Sequence, residues 1–479
     1  MFFSIRTAYI KCLVKTIEHV FAGTEIIMRS LTPISIPAFF LGLVLCALLA
    51  APASAQTIIR DREIEKTLSS WFTPVIEAAE LSPDVVNVIL VQDNQINAFV
   101  AGGPNVFFFT GLILETENPG ELIGVMAHEL GHIRGGHLIR GRQAMERASY
   151  ETLIGTILGV GAAIATGEGE AAGGIAAGSQ SQAMRRFLSH SRVQESSADQ
   201  AALKYMERAE MNPDGLVSFF RKLKAKEGVI SSQNVEYIRT HPLTTNRIAA
   251  LEKGAMESPY SGKDWPEEWR VEYARMKAKL LGFINPGHVE WTYSQDNTSI
   301  PAEYARAIAA YRESRFEESL DRLDALIERE PKNPYFHELK GQVLVDAGRL
   351  EESLAPYRTS ITLDPGAGLI RIALAHALIE TSYAQDKKDR LREAVSHLEQ
   401  AVKSEKYSPR LHRLLATAYG RLGQTGMAKL HLAEEAVLKR KWTIGLGHAR
   451  AARRQFEEGS REHLHALDLI EFIQNNKKG

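Results

Sequence analysis

Cysteine is almost missing from this chain: 479 residues contain two, Cys12 and Cys46. A formal net charge of -1 removes any global electrostatic case for nucleic-acid binding. With 44% hydrophobic and 24% charged residues, the chain is no disordered polymer and can fill two or three cores. Long apolar runs are lacking as well. The uninterrupted stretches Ala38–Ala51 and Leu153–Thr166 fall short of the roughly 20 residues that a spanning helix needs.

The first segment has the layout of a secretory leader. Arg29 follows Met28, an apolar stretch runs from Ile34 to Ala51, and Ala53-Ser54-Ala55 precedes Gln56 as a small-x-small cleavage site. Cleavage after Ala55 is expected, in preference to an uncleaved anchor. Bulky Leu45 speaks against a lipoprotein reading of Cys46. Residues 1–27 fit no part of the pattern, so Met28 is an alternative start to Met1. Removing residues 1–55 takes away four bases and two acids, which leaves a net charge of -3 and no thiol. Any metal held by the exported chain must then use His, Asp or Glu.

The middle of the chain carries such a set. After the break at Asn118-Pro119-Gly120, the apolar residues Leu122, Val125, Met126, Leu130 and Ile133 recur at helical spacing. His128 and His132 then lie one turn apart on one face and can hold one Zn²⁺, while Glu129 is offset to reach an activated water as general base. The metzincin continuation would place a third His at position 138, but that residue is leucine and the nearest imidazole is His137. One position early rotates His137 about 100° off the face, so it is expected at the surface or at the helix end. A better third ligand lies in Ser191-Arg-Val-Gln-Glu-Ser-Ser-Ala-Asp199, where Glu195 and Asp199 share a helical face. One carboxylate can bind the metal while the other accepts a hydrogen bond from a ligand imidazole.

The sequence His-Glu-Leu-Gly-His132, then Glu195-x-x-Ala-Asp199, then Thr240-His241-Pro242 with Arg247 resembles the gluzincin peptidases that include the CAAX-processing and HtpX-type enzymes. The resemblance implies zinc ligands His128, His132 and Glu195, with Glu129 as general base and Asp199 in a supporting or proton-donor role. It leaves His241 open between a residue that caps the zinc at rest and one that stabilises the oxyanion. The likeness extends to Asn97-Ala98-Phe99 and Asn105–Gly111, two apolar runs around Ala101–Pro104 that read as a hairpin. An exposed edge there would take extended, unfolded polypeptide by strand addition. Leu153–Gly178, rich in small residues, reads as a buried helix and loop or, alternatively, as a lid or membrane-touching hairpin.

The C-terminal third repeats. Pro331 and Pro365 are 34 residues apart, as are Arg315-Phe-Glu-Glu-Ser-Leu320 and Arg349-Leu-Glu-Glu-Ser-Leu354. Arg390–Ala394 and Gln424–Ala428 continue that period after seven extra residues. This is the tetratricopeptide signature, an α-solenoid with a concave face for peptide or protein. Gly459–Ile473 is expected to close the array, and Phe283–Ile300 to link the parts.

The expected fold is mostly α (α+β): a gluzincin metallopeptidase domain with a small sheet at 56–285, then a repeat domain at 300–479. The whole arrangement is similar to that of exported quality-control proteases of the Gram-negative periplasm. That likeness implies one Zn²⁺ per chain, unfolded or stalled outer-membrane proteins as substrates, and repeats that dock on the barrel-assembly machinery. The alternative is a non-proteolytic chaperone or adaptor with a structural zinc.

Overall fold

The computed structural model describes residues 57–137, 192–226, 237, 240–382 and 388–477. The leader expected at residues 1–55, with both cysteines and Met28, and the segment 153–178 lie outside the described residues. Among the described residues no helix is long and apolar enough to cross a membrane.

Four strands form the sheet: β1 (Thr57–Ile59), β2 (Asn87–Gln92), β3 (Ala98–Val100) and β4 (Asn105–Phe109), in the order β1-β2-β4-β3. β2 and β4 run parallel, from Asn87 opposite Asn105 to Val91 opposite Phe109. β3 and β4 form the expected antiparallel hairpin, turned by Gly102 and Gly103 at φ +64° and +105°. Strand alternation sorts the side chains. Val106 and Phe108 are buried, whereas Phe107 points the other way and stacks on Phe99 at 4.9 Å. Among the described residues β3 is an edge strand of this sheet.

Helix α1 (Arg62–Ala78) starts where the Asp61 carboxylate accepts from the Ile64 N–H. It buries Ile64, Leu68, Trp71, Phe72 and Val75 at helical spacing, and Phe72 stacks on Phe108 at 5.4 Å. After α2 (Thr110–Glu115), the chain enters α3 (Pro119–Arg134), with Asn118 as N-cap and Pro119 in the first turn. Every residue of α3 from Pro119 to His132 is buried, so it is the central helix of the part that precedes the repeats. α4 (192–208) and α5 (Asp214–Lys226) pack on it. Closeness is set by two glycines. A Cβ at Gly124 would lie 2.7 Å from Leu216 Cβ, and one at Gly131 only 2.8 Å from Ala198 Cα. α6 (Thr245–Glu257) and α7 (Glu267–Ile284) complete this part.

The repeats follow as helix hairpins. They are α8 (Ile300–Arg312) with α9 (Phe316–Arg329), α10 (Pro334–Asp346) with α11 (Leu350–Leu363), and α12 (Gly368–Glu380) with α13 (Lys388–Glu405). α14 (Pro409–Arg421) with α15 (Thr425–Leu438), and α16 (Trp442–Arg453) with α17 (Arg461–Asn476), end the array. Within the hairpins, Ser314, Gly348 and Gly423 hold the left-handed turn at φ +62°, +77° and +81°. The segment expected to link the two parts is tied down: the Arg306 guanidinium donates to the carbonyls of Asn297, Tyr293 and Ser294, and Val289 is buried.

Residues 57–479 group as one compact unit. Arg62 donates twice to Asp364, at 2.8 and 3.1 Å, and buried Lys279 lies 2.8 Å from Asp61 and 3.2 Å from Glu63. The Tyr304 hydroxyl also donates to Glu63, at 3.1 Å. The start of α1 is thus bound to both α7 and the repeats.

Candidate metal centre

His128 and His132 leave α3 on the face that Gly131 opens to α4. Because Gly131 lets the helices touch, Glu195 and Asp199 of α4 meet the two imidazoles. His128 Nε2 lies 3.1 Å from His132 Nε2 and 3.4 Å from Glu195 Oε2, and His132 Nε2 lies 3.4 Å from Glu195 Oε1. His241 enters from the segment before α6, with Nδ1 3.2 Å from Glu195 Oε2 and 3.4 Å from His128 Nε2. One ligand atom from each of His128, His132, Glu195 and His241 fits within 4.8 Å of the others, and all four residues are buried. Two or three imidazoles and a carboxylate form a donor set that suits a divalent transition cation.

Atoms that lack partners support this fit. Both Glu129 carboxylate oxygens and His241 Nε2 are buried without a hydrogen bond. Such groups are costly in a protein interior unless something further satisfies them. Glu129 Oε1 is 3.6 Å from His241 Nε2, so the general-base candidate lies at the rim of the cluster. Burial pushes the Glu129 carboxyl upward, against the opposing pull of His241 and His128.

Asp199 lies behind His128, with Oδ1 3.0 Å from His128 Nδ1. Arg247 grips it in turn, its Nε and second terminal nitrogen donating at 2.7 and 2.8 Å. The first terminal nitrogen of Arg247 reaches Glu195 Oε2 at 3.0 Å and donates to the Pro242 carbonyl at 2.7 Å. Burial would raise both acids, but Arg247 and His128 hold Asp199 low, and His241 and His128 do so for Glu195. In the metal-free protein burial disfavours charge on His128, yet Asp199 and Glu195 outweigh it and lift its pKa to about 9. Tyr237 stacks on His241 at 4.5 Å, and its buried hydroxyl has no partner.

The structure thus brings His128, Glu129, His132, Glu195, Asp199 and His241 together. His137 stands just past the end of α3, one of its two expected places, but it is not at the surface: it is buried, with Nδ1 3.0 Å from His132 Nδ1. Gly136 turns back at φ +60°, and a Cβ at Gly135 would meet the His137 ring at 2.3 Å. Helical extrapolation cannot see past such a turn. The Gly-Gly-His string was the available signal. Tyr237 had none, and Arg247 appeared only as the end of a motif.

Residues 62–255 match the family model described as Peptidase family M48, and residues 304–368 one described as Tetratricopeptide repeat. The chain is a metallopeptidase. This metallopeptidase is similar to the beta-barrel assembly-enhancing protease of Escherichia coli, 23% identical over 339 residues, 69% of this chain and 68% of that one. A Vibrio cholerae counterpart is 22% identical over 413 residues, 85% of this chain and 83% of its own. The metalloprotease YcaL of Escherichia coli is 28% identical over 167 residues, 34% of this chain and 59% of that one. The relatives of the first kind therefore extend across peptidase and repeats, whereas the last matches about a third of the chain.

Proposed function

We propose that the chain is a zinc-dependent endopeptidase of the periplasm that cleaves unfolded or stalled outer-membrane proteins, with the repeats docking on the barrel-assembly machinery. One observation carries the reading: four side chains able to ligate a metal, His128, His132, Glu195 and His241, converge beside the buried Glu129 carboxylate, whose oxygens have no hydrogen-bond partner among the described residues. In this reading His128, His132 and Glu195 hold Zn²⁺, which when bound supplies Lewis acidity to the scissile carbonyl and to water. Glu129 takes the proton of the attacking water and passes it to the leaving amine. Asp199 fixes the His128 tautomer, and Arg247 keeps Asp199 ionised and in place. β3, an edge strand among the described residues, offers its edge to an extended substrate segment.

His241 favours the capping role over the oxyanion role, because its Nδ1 lies among the ligand atoms while Nε2 faces Glu129. Substrate would then have to displace it. The adaptor reading, with a mainly structural metal, fits less well, since a closed structural site needs no base.

Glu129→Gln separates the two. It should retain stoichiometric zinc and lose about 10²–10⁴-fold in cleavage of an unfolded outer-membrane protein. Cleavage by that variant at the wild-type rate would overturn the peptidase assignment. Full zinc occupancy with no cleavage by either protein would favour the adaptor.

A further inference from the structure

We propose that His137 is a positioning residue of the metal centre: it accepts the Nδ1 proton of His132 and thereby sets that ligand's tautomer and ring orientation. The inference rests on the ligand reading of His128, His132 and Glu195.

His132 turns Nε2 toward His128 Nε2 and Glu195 Oε1, at 3.1 and 3.4 Å. That nitrogen must present a lone pair to a cation, so the one proton of the neutral ring belongs on Nδ1. His132 Nδ1 lies 3.0 Å from His137 Nδ1, the two rings meeting edge-on at 79°. His137 can accept there when its own proton is on Nε2. At the same place behind His128 lies Asp199 Oδ1, also at 3.0 Å. The two ligand imidazoles are therefore backed by different groups, a carboxylate and an imidazole.

The difference has an electrostatic reason. Glu195 and Asp199 already share the Arg247 guanidinium in this buried space, which also holds the Glu129 carboxyl beside His241. A second backing carboxylate would add another buried negative charge, whereas a neutral imidazole orients His132 without one. The backbone is built for this placement. Gly136 at φ +60° folds the chain back, and Gly135 leaves the space that a Cβ, 2.3 Å from His137 Nε2, would take from the ring. The His137 carbonyl accepts from Gln194 Nε2 at 3.4 Å, beside ligand Glu195.

Three variants of the chain test this: His137→Asn, which keeps an acceptor near Nδ1; His137→Phe, which removes it; and Gly135→Ala, which keeps His137 but displaces its ring. The readouts are Zn²⁺ affinity by chelator competition and the d–d absorption of the Co²⁺-loaded protein. The Phe and Ala variants should bind Zn²⁺ about 10–100-fold more weakly and shift the Co²⁺ bands, with Asn near wild type. If a variant misfolds by circular dichroism, His137→Gln, whose amide falls at the Nε2 position, replaces it. Wild-type affinity and bands in His137→Phe or its replacement would overturn the inference. His128→Ala serves as control: if it too binds Zn²⁺ like wild type, the ligand assignment fails instead.

Discussion

The metal centre and the repeat array are held together over different distances along the chain. In the centre, His128 of α3 meets Asp199 of α4, and Glu195 meets His241 and Arg247 from the segment around α6. In the array, neighbouring helices bury Leu, Ile and Ala against the next hairpin, as with Phe336 on Tyr304 at 5.0 Å. The centre depends on buried charges that satisfy one another across the fold, so removing one strands the rest. The array depends on short-range apolar contacts, so damage there is absorbed repeat by repeat. Stability and metal binding should therefore separate under mutation.

Arg247→Met tests this contrast most severely. It leaves Asp199 and Glu195 buried without their guanidinium, facing the His128 imidazole, and the metal-free protein should lose about 3–5 kcal/mol in denaturant unfolding. A loss below about 1 kcal/mol, the worth of a surface pair, would break the contrast. Leu415→Ala probes the other side. Leu415 is fully buried in α14, and its truncation should cost about 2–5 kcal/mol. Zn²⁺ affinity, by competition, should stay at the wild-type value; a parallel drop in both would show that the two regions are not energetically separate.

The junction between the regions should respond to pH. Glu338 of α10 has a buried oxygen without a partner, and burial, opposed by Lys279 and aided by Asp61, Glu63 and Asp364, raises its carboxyl to about 7. The folded protein then keeps a proton that the unfolded chain releases from its ordinary pKa of 4.5 upward. Stability from this group is therefore lost as pH rises through that window. Glu338→Gln should raise Tm at about pH 8 and change it little at about pH 4. An equal Tm difference at both pH values would exclude a titrating Glu338. The smallest effect is expected at Ser314, which occupies the left-handed turn position that Gly348 and Gly423 hold in other repeats. Ser314→Gly should stabilise by up to about 1 kcal/mol in denaturant unfolding, and a destabilised variant would mean that the serine makes a contact worth more than the strain.

The same contrast explains what could be read in the amino-acid string. The repeats were legible because their period of 34 is written into consecutive residues: Arg315–Leu320 and Arg349–Leu354 open α9 and α11 at the same offset. His128, Glu129 and His132 were legible because one helix turn fixes their relation. Glu195 and Asp199 could be paired on a face, but their meeting with α3 depended on Gly131, whose missing Cβ lets α4 approach. The place of His137 at the helix end was legible, but its burial against His132 was not, because the turn at Gly136 that folds it back is not set by helix spacing. Tyr237 lay beyond sequence reasoning altogether, since a tyrosine stacked on His241 resembles any core aromatic.

By itself, the sequence determined what period and spacing encode: the helical repeats, and a helix that presents two histidines one turn apart with Glu129 beside the first. Tertiary structure decided which groups share a charge environment. Arg247 holds two carboxylates at once, His241 reaches into the ligand cluster, and His137 backs His132 where Asp199 backs His128. Local geometry propagates over a few residues, whereas buried electrostatics depend on through-space distances that only packing, here through glycine contacts of less than 3 Å for a would-be Cβ, can fix.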